Sequence, residues 1–422
     1  MEVNEPRTKY LARSVLQQTD VGFIPIDWQV RLLGELGKFS KGQGIRKDEA
    51  ASGDIPCVRY GEIYTHHTDF VRTFNSRISQ EVARTSKRLK SGDLLFAGSG
   101  ETKAEIGKCV AFLGDEEAYV GGDIVVLSPT SGEPKFLGYL LNSPVIARQK
   151  ASKGQGDAVV HIGAHALSSV QVPLPSTKAE QEAIANVLSD ADALIESLEQ
   201  LLVKKRQIKQ GTMQELLTGK RRLPGFDGEW EMKRLGDVAD TDPENLSSDT
   251  RPDFSFNYIS LEDVDEGSLT GHSEQLFESA PSRARRKLRS HDVLVSTVRP
   301  NLRSHLLFQQ ESNRWICSTG FCVVRCKTGM SHHGYVYAHM FGGIVNRQIE
   351  SLLTGSNYPA INSRDVRALE IPFPSYAEQS AIATILSDMD ADIAALESRL
   401  VKVRHIKLGM MQQLLTGTIR LV

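Results

Sequence analysis

Three groups of side chains in this 422-residue chain have the types and spacing that chemistry needs. The first is sulfur with imidazole. Cys317, Cys322 and Cys326 precede His332 and His333, a set that zinc accepts. The spacing is not that of paired Cys-x-x-Cys ligands, however. Phe321–Cys326 (FCVVRC) reads as a strand in which cysteine is a small hydrophobe. His161 and His165 have no acidic partner matched in sequence, so loop or core positions suit them better. The second group is glycine. Gly107-Lys108-Cys109 lacks the spaced glycine and the Ser or Thr of a phosphate loop, and Gly98/Gly100 and Gly154/Gly156 lack a third glycine. They read as loop glycines. Asn357-Tyr358-Pro359 falls short of the double-proline motif of amino-methyltransferases. Pro252-Asp253 has no Glu-x-Lys to follow it on a strand, which disfavours a nuclease centre. No catalytic residue and no metal site are assigned.

The third group is basic. Arg283, Arg285, Arg286, Lys287 and Arg289 precede Thr297, Arg299, Asn301 and Arg303; Arg84, Lys87, Arg88 and Lys90 precede Ser99, Thr102 and Lys103. Arginine and lysine suit phosphate contacts, and Asn, Gln and Arg can read base edges. Taken alone, a charge run is as well explained by a solvated face. Position raises these two, because each follows a matching apolar strand, at Leu94 and at Val293. A second matched pair lies further on: Lys153-Gly-Gln155-Gly-Asp157 and Thr354-Gly-Ser-Asn357-Tyr358. The residues expected on DNA-facing loops are therefore Lys90, Ser99, Thr102, Lys103, Lys153 and Gln155 in the first half, and Arg285, Arg286, Thr297, Arg299, Asn301, Arg303, Asn357 and Tyr358 in the second.

These loops need a frame, and the sequence writes its frame twice. Ala179–Leu223 returns without a gap as Ala377–Leu421, with roughly two thirds of positions identical. Each copy follows a proline-rich strand end, Val172-Pro-Leu-Pro175 or Ile371-Pro-Phe-Pro374, where proline is expected to halt the ladder. Each opens with a capping-box pattern, Thr177-x-x-Glu180 or Ser375-x-x-Glu378. An apolar stripe of helical period follows: Ile184, Leu188, Ile195, Leu198 and Leu202, matched by Ile382, Leu386, Ile393, Leu396 and Leu400. Gly219 and Gly417 are the expected stops. A helix over about 178–217 would be roughly 60 Å long. Such a helix cannot bury its stripe alone, and the other copy, antiparallel in a coiled coil, is the simplest cover. Gly211 and Gly409 predict a bend or a close backbone contact, and they leave open a hairpin within each copy.

A net charge of −2 argues against a bulk electrostatic coat for nucleic acid, though not against local basic patches. No apolar run is long enough to span a membrane, and the N-terminus lacks a signal-peptide core. Five cysteines predict a reducing, cytoplasmic setting without a disulfide framework. The expected order is an arm over 1–20, polar or helical; a recognition domain over 21–175; a central helix over 176–223; a second domain over 224–374; and a C-terminal helix over 375–422. Both domains are mixed α+β. They echo one another at Trp28…Leu33-Gly34 and Trp230…Leu235-Gly236, at Leu89–Leu95 and Leu288–Leu294, and at Gly138-Tyr139 and Gly334-Tyr335. Strands are expected at 108–113, 124–127, 258–261 and 321–326.

The twice-written unit, Pro-x-Pro, Ala-Glu-Gln-x-x-Ile, long helix, Leu-Leu-Thr-Gly, resembles the specificity subunit of type I restriction–modification systems along essentially the whole chain. The specific part is Pro173…Ala179-Glu180-Gln181…Ile184 and Pro372…Ala377-Glu378-Gln379…Ile382; the domains resemble the family in outline only. The resemblance implies two similar target recognition domains, related by a pseudo-two-fold repeat, that read the halves of a split, asymmetric site on double-stranded DNA. It implies a non-catalytic chain that docks two methyltransferase (modification) subunits, with restriction/translocase subunits beside them. S-adenosylmethionine, ATP and magnesium would then sit on those partners, and none on this chain. The competing reading is a coiled-coil protein-interaction scaffold with two binding lobes and no role on DNA.

Overall fold

The helical period is realised over the full length of both copies. In the computed structural model, which describes residues 10–11, 15–312, 314–353 and 359–421, the central helix is Lys178–Leu217 and the C-terminal helix is Tyr376–Leu414. Neither breaks at its internal glycine. A Cβ at Gly211 or Gly409 would meet nothing within 4 Å, so the expected close contact is absent and the helix runs through at a propensity cost of about 1 kcal/mol each. The glycine stops are where the sequence places them. Gly219 and Gly417 have φ of +69° and +70°, and each N–H reaches back to Leu216 or Leu414.

The described residues divide into two units, one made of the chain up to Ser197 plus Leu400 onward, the other of Leu198–Arg399. The frames of the two match strand for strand. In the first, one antiparallel sheet has the order Cys109–Ala111, Leu94–Ala97, Ile124–Pro129, Gly37–Lys41; in the second it is Leu306–Leu307, Val293–Ser296, Phe321–Cys326, Ala239–Thr241. The other sheet runs Ser76–Ile78, Ile55–Val58, Tyr119–Val120, Lys87–Arg88, and its counterpart runs Ser273–Leu276, Ser255–Ile259, Trp315–Ser318, Ala284–Lys287. Each holds one parallel pair, at the same place. Cys109–Ala111 lies inside the strand expected at 108–113, Ile124–Pro129 extends the one at 124–127, Phe321–Cys326 falls as read, and Ser255–Ile259 begins ahead of the expected 258–261.

Two readings need correction. The N-terminal arm is not helical where it is described: Tyr10–Leu11 pairs with Arg420–Leu421, and Leu16–Thr19 pairs with Gly22–Pro25. Nor does the first proline of each strand end stop its ladder. Pro173 lies opposite Val30 and Pro372 opposite Met232, in two-stranded ribbons whose outer edge needs no donor.

The lock on each unit lies at the helix start. Thr177 and Ser375 cap, their hydroxyls accepting the N–H of Glu180 and Glu378 at 3.3 and 3.4 Å. The glutamates do not close the box. Glu180 pairs with Arg420, which also holds Asp27 at 2.8 and 2.9 Å. Glu378 takes a two-pronged grip from Arg222 at 2.7 and 2.8 Å and the indole N–H of Trp230 at 3.1 Å. Arg420 and Arg222 are the same position of the repeat. So each glutamate is answered by the tail of the other copy, beyond its Leu-Leu-Thr-Gly. The guanidinium lies over the Trp of its unit, 5.9 Å from Trp28 or 5.3 Å from Trp230. Gln181 and Gln379 each receive the N–H that starts a domain helix, from Glu133 and His332, and donate to Pro175 and Pro374.

The stripes pack in the same sense. In the first unit Ile184 and Leu188 share a core with Leu414 and Leu415, and Lys407 reaches Asp192 at 2.6 Å and Asp69 at 3.4 Å. In the second, Leu216 and Leu217 meet Ile382 and Leu386; Lys205 pairs with Asp392 and Lys209 with Asp390. Rising numbers on one helix meet falling numbers on the other, so the segments are antiparallel within each unit. Leu198, Leu202, Ile393 and Leu400 are buried; Ile195 and Leu396 are half-buried.

Glu180 is 4% exposed. Removing its cation strands a buried carboxylate, so Arg420→Ala should destabilise the first unit by about 3 kcal/mol in urea unfolding. Arg420→Lys should recover only part of that, because an ammonium cannot span two carboxylates in parallel.

Candidate nucleic-acid interface

Each first sheet ejects a loop from its second strand, and a second loop is zipped against it. In the first unit Ser99–Gly100 pairs with Val160–His161, joining loop 98–107 to loop 154–161. In the second, Val298 bridges Ala360, joining loop 297–305 to the segment that enters Ile361. In the first unit the two loops matched in sequence are thus neighbours in space; in the second, loop 297–305 meets residues 359–361, and Thr354–Tyr358 lies outside the described residues. Their roots are built alike: Gly98 N–H bonds Asp123 as Thr297 N–H bonds Gly320, both at 2.8 Å, and Ile162 N–H bonds Gly98 as Ile361 N–H bonds Thr297.

The nominated residues fall into two sets. Thr102, Lys103, Gln155, Arg299, Asn301 and Arg303 are exposed on these loops, Lys153 is half-exposed, and Leu302 is an exposed apolar side chain at the tip. Arg299 and Arg303 bracket the turn Pro300–Leu302 with φ of +49° and +56°. Left-handed arginine costs on the order of 1 kcal/mol each, and such strain gathers where a side chain must be aimed. The other set is tied into the frame. Ser99 is buried with its hydroxyl 2.9 Å from His161 Nδ1, and Thr297 is buried donating to Gly320. Arg286 pairs with Asp242 at 2.9 Å, and Arg285 is half-buried over the Phe277 ring. Lys90 is exposed beside an open cleft of about 330 Å³ whose acids, Asp115 and Glu116, offset its charge. Asn357 and Tyr358 lie outside the described residues.

The basic runs at Arg283–Arg289 and Lys87–Arg88 prove to include the matching edge strands of the second sheets, not turns alone. Charge on an edge discourages strand addition. Sequence reading gave His161 a loop or core position without a role and did not single out His305; the first holds the Ser99 hydroxyl, the second is buried behind its loop, and one histidine without an acidic neighbour gives no signal of either part.

A family model described as the type I restriction modification DNA specificity domain matches twice, over residues 25–206 and 227–404. The chain is 23% identical to the type I restriction enzyme MjaVIII specificity subunit of Methanocaldococcus jannaschii, over 94% of each chain. It is 22% identical to the EcoDI specificity subunit of Escherichia coli, over 90% of this chain and 84% of that one. In fold it is similar to the S subunit of a type I restriction–modification system from M. genitalium, with a TM-score of 0.59 at 16% identity, covering 92% and 96% of the two chains.

The histidines considered for zinc have another arrangement. The rings of His291, His333 and His332 stack in series, 4.1 and 4.4 Å between centroids. Among the described residues no three His, Cys, Asp or Glu are grouped to hold a metal ion. Cys317 and Cys322 are core side chains, and burial pushes the Cys322 thiol up to about 12. The stack fills a joint that the first unit makes from smaller parts. There a Cβ on Gly92 would lie 3.2 Å from Pro134, the residue that opens the domain helix as His333 does in the second unit. The domain helices align at these starts, Glu133 with His332, so the Gly138-Tyr139 and Gly334-Tyr335 echo is out of step by about a turn.

Burial holds His333 down to about 4, with the neighbouring imidazoles adding to it, and holds His332 below its ordinary value. The fold keeps both neutral, and unfolding lets them charge near pH 6.5. Stability from this joint is therefore complete above pH 6.5 and is lost as pH falls toward 4. Urea midpoints should fall from pH 7 to 4.5, with limited proteolysis placing the first cuts in the second unit. Installing the first unit's pair, His291→Gly with His333→Pro, should flatten that profile.

Proposed function

The chain belongs to the family of type I restriction–modification DNA specificity subunits, and from that premise we propose that its two domains read the unlike halves of one split, asymmetric sequence in double-stranded DNA. It is the recognition subunit of such a system and not itself an enzyme. One observation carries the bipartite reading: two frames with the same strand order present a loop from the same root of the first sheet, and the exposed residues on those loops differ. Thr102, Lys103 and Gln155 serve one half-site; Arg299, Asn301 and Arg303 serve the other. Arginine offers a bidentate grip on guanine, Asn and Gln on adenine, and lysine a point charge for phosphate.

The long helices are the ruler between the half-sites and the docking surface for two methyltransferase subunits, with restriction subunits joining that assembly. A 40-residue helix of about 60 Å is ample to set a gap between half-sites roughly one helical turn, 34–36 Å, apart. S-adenosylmethionine, ATP and magnesium then belong to those partners.

Mapping methylated adenines in cells that carry this chain with its methyltransferase tests the reading. The expected result is one motif of two dissimilar halves around a fixed gap. Matched insertions of two helical turns in both long helices should lengthen the gap and leave each half intact. Purified complex should bind the motif with affinity that falls steeply with salt. Lys103→Ala should weaken binding and reduce the salt slope by about one, whereas Arg303→Ala should degrade one half-motif only. A continuous motif, or binding indifferent to salt, removes the reading.

A further inference from the structure

The second loop closes in a way the first does not. In the first unit the N–H of Ala97, the last residue of its strand, bonds the carbonyl of Lys108 at 3.0 Å, and Gly107 N–H returns to Ala97. The loop thus leaves and re-enters along one continuous ladder. Ser296 occupies the place of Ala97, as the shared bonds at Gly98 and Thr297 show. Its N–H finds no strand carbonyl; it donates to Nδ1 of His305 at 3.1 Å. A ring replaces a peptide. The loop exit is thereby freed from the ladder. It can take the tight path in which His305 N–H bonds Arg303 at 2.7 Å and Arg303 N–H bonds Pro300 at 3.0 Å. That path sets both left-handed arginines.

We propose that His305 is the positioning residue for the second recognition loop: its Nδ1 stands in for a missing strand carbonyl and so fixes how Arg299, Asn301 and Arg303 are presented to DNA. This rests on the loop's being a DNA reader. The ring is suited to the task. It is fully buried, edge-on to Phe341 at 5.6 Å between centroids. With Nδ1 accepting, the proton resides on Nε2, which has no hydrogen-bond partner among the described residues. A buried ring with one orphaned donor is a poor choice for stability alone. Its retained acceptor does a job that an aliphatic side chain of that size cannot.

The atom at issue is bonded to Cγ, which makes a sharp test available. Asparagine places an acceptor oxygen on Cγ, and glutamine places it one carbon further out. Cells carrying the chain and its methyltransferase are mapped for methylated adenine with the wild type, Arg303→Ala, His305→Asn and His305→Gln, alongside thermal melting of each purified complex. Arg303→Ala identifies the half-motif that the second loop reads. The expected result is that His305→Gln loses discrimination in that same half by roughly tenfold at one or more positions, the other half staying sharp. His305→Asn should restore it, even where both variants melt equally early. The proposal is overturned if Gln and Asn behave alike, if both halves blur together, or if neither changes a motif that Arg303→Ala changes. An Arg303→Ala map identical to wild type overturns the loop reading itself, and this inference with it.

Discussion

The structure depends on a buried carboxylate at the start of each long helix. Glu180 and Glu378 are shielded almost completely from water. An unpaired charge there would cost several kcal/mol, and each is held by an arginine from the tail of the other copy of the repeat. The penalty for leaving either glutamate unanswered enforces the antiparallel arrangement. A helix folding back on its own copy would have to break, and both helices run unbroken through Gly211 and Gly409, so each glutamate meets the tail of the other copy. Reciprocal pairing instead seats both tails, and Gly417 and Gly219 let the chain pass tightly against Pro25 and Trp28 or against Trp230. Structural units and sequence repeats are therefore different divisions of the chain. Each unit takes the start of one long helix and the end of the other.

Within that frame the two domains differ where the frame allows it. Both place a left-handed residue at the turn before the central strand, Gly92 in one and His291 in the other, and both pack it against the first residue of the domain helix. Glycine with proline makes that contact with little surface; two histidines make it with stacked rings, of which burial keeps His333 neutral. The loop roots vary in the same manner, a peptide carbonyl in one unit and an imidazole in the other. Ladder geometry fixes the donor that must be satisfied, and the sequence is free in how it satisfies it.

The long helices were legible because their signals are local: a 3.6-residue stripe, a hydroxyl cap and a terminal glycine. The duplication was legible because identity needs no structure. What misled was a local pattern overruled from afar. Thr-x-x-Glu is a capping box until a distant arginine competes for the glutamate, and charge-assisted bonds in a buried site outweigh one to an N-cap amide. Arg286 is read toward DNA for a similar reason. Its acid, Asp242, lies more than forty positions away in sequence. On the exposed loops Lys103, Gln155, Asn301 and Arg303 present their side chains to solvent. Ser99 and Thr297, adjacent in sequence to that set, are drawn into the sheet by strand pairing.

The contrast between lock and loop bears on how recognition changes without loss of fold. Among the described residues, the backbone and His305 bonds that shape loop 297–305 end within the loop, on Ser296, at Gly320 or on residues 359–361. Glu378, Arg222 and Trp230 bond one another instead. Substitutions on the loop therefore exchange one set of exposed donors and acceptors for another while the buried charges keep their partners. Separated sites contribute nearly additively, and sites that share a network do not. With the buried glutamates of the locks confined to the repeated segments, the exposed side chains of the loops are free to differ between the two units without disturbing either lock.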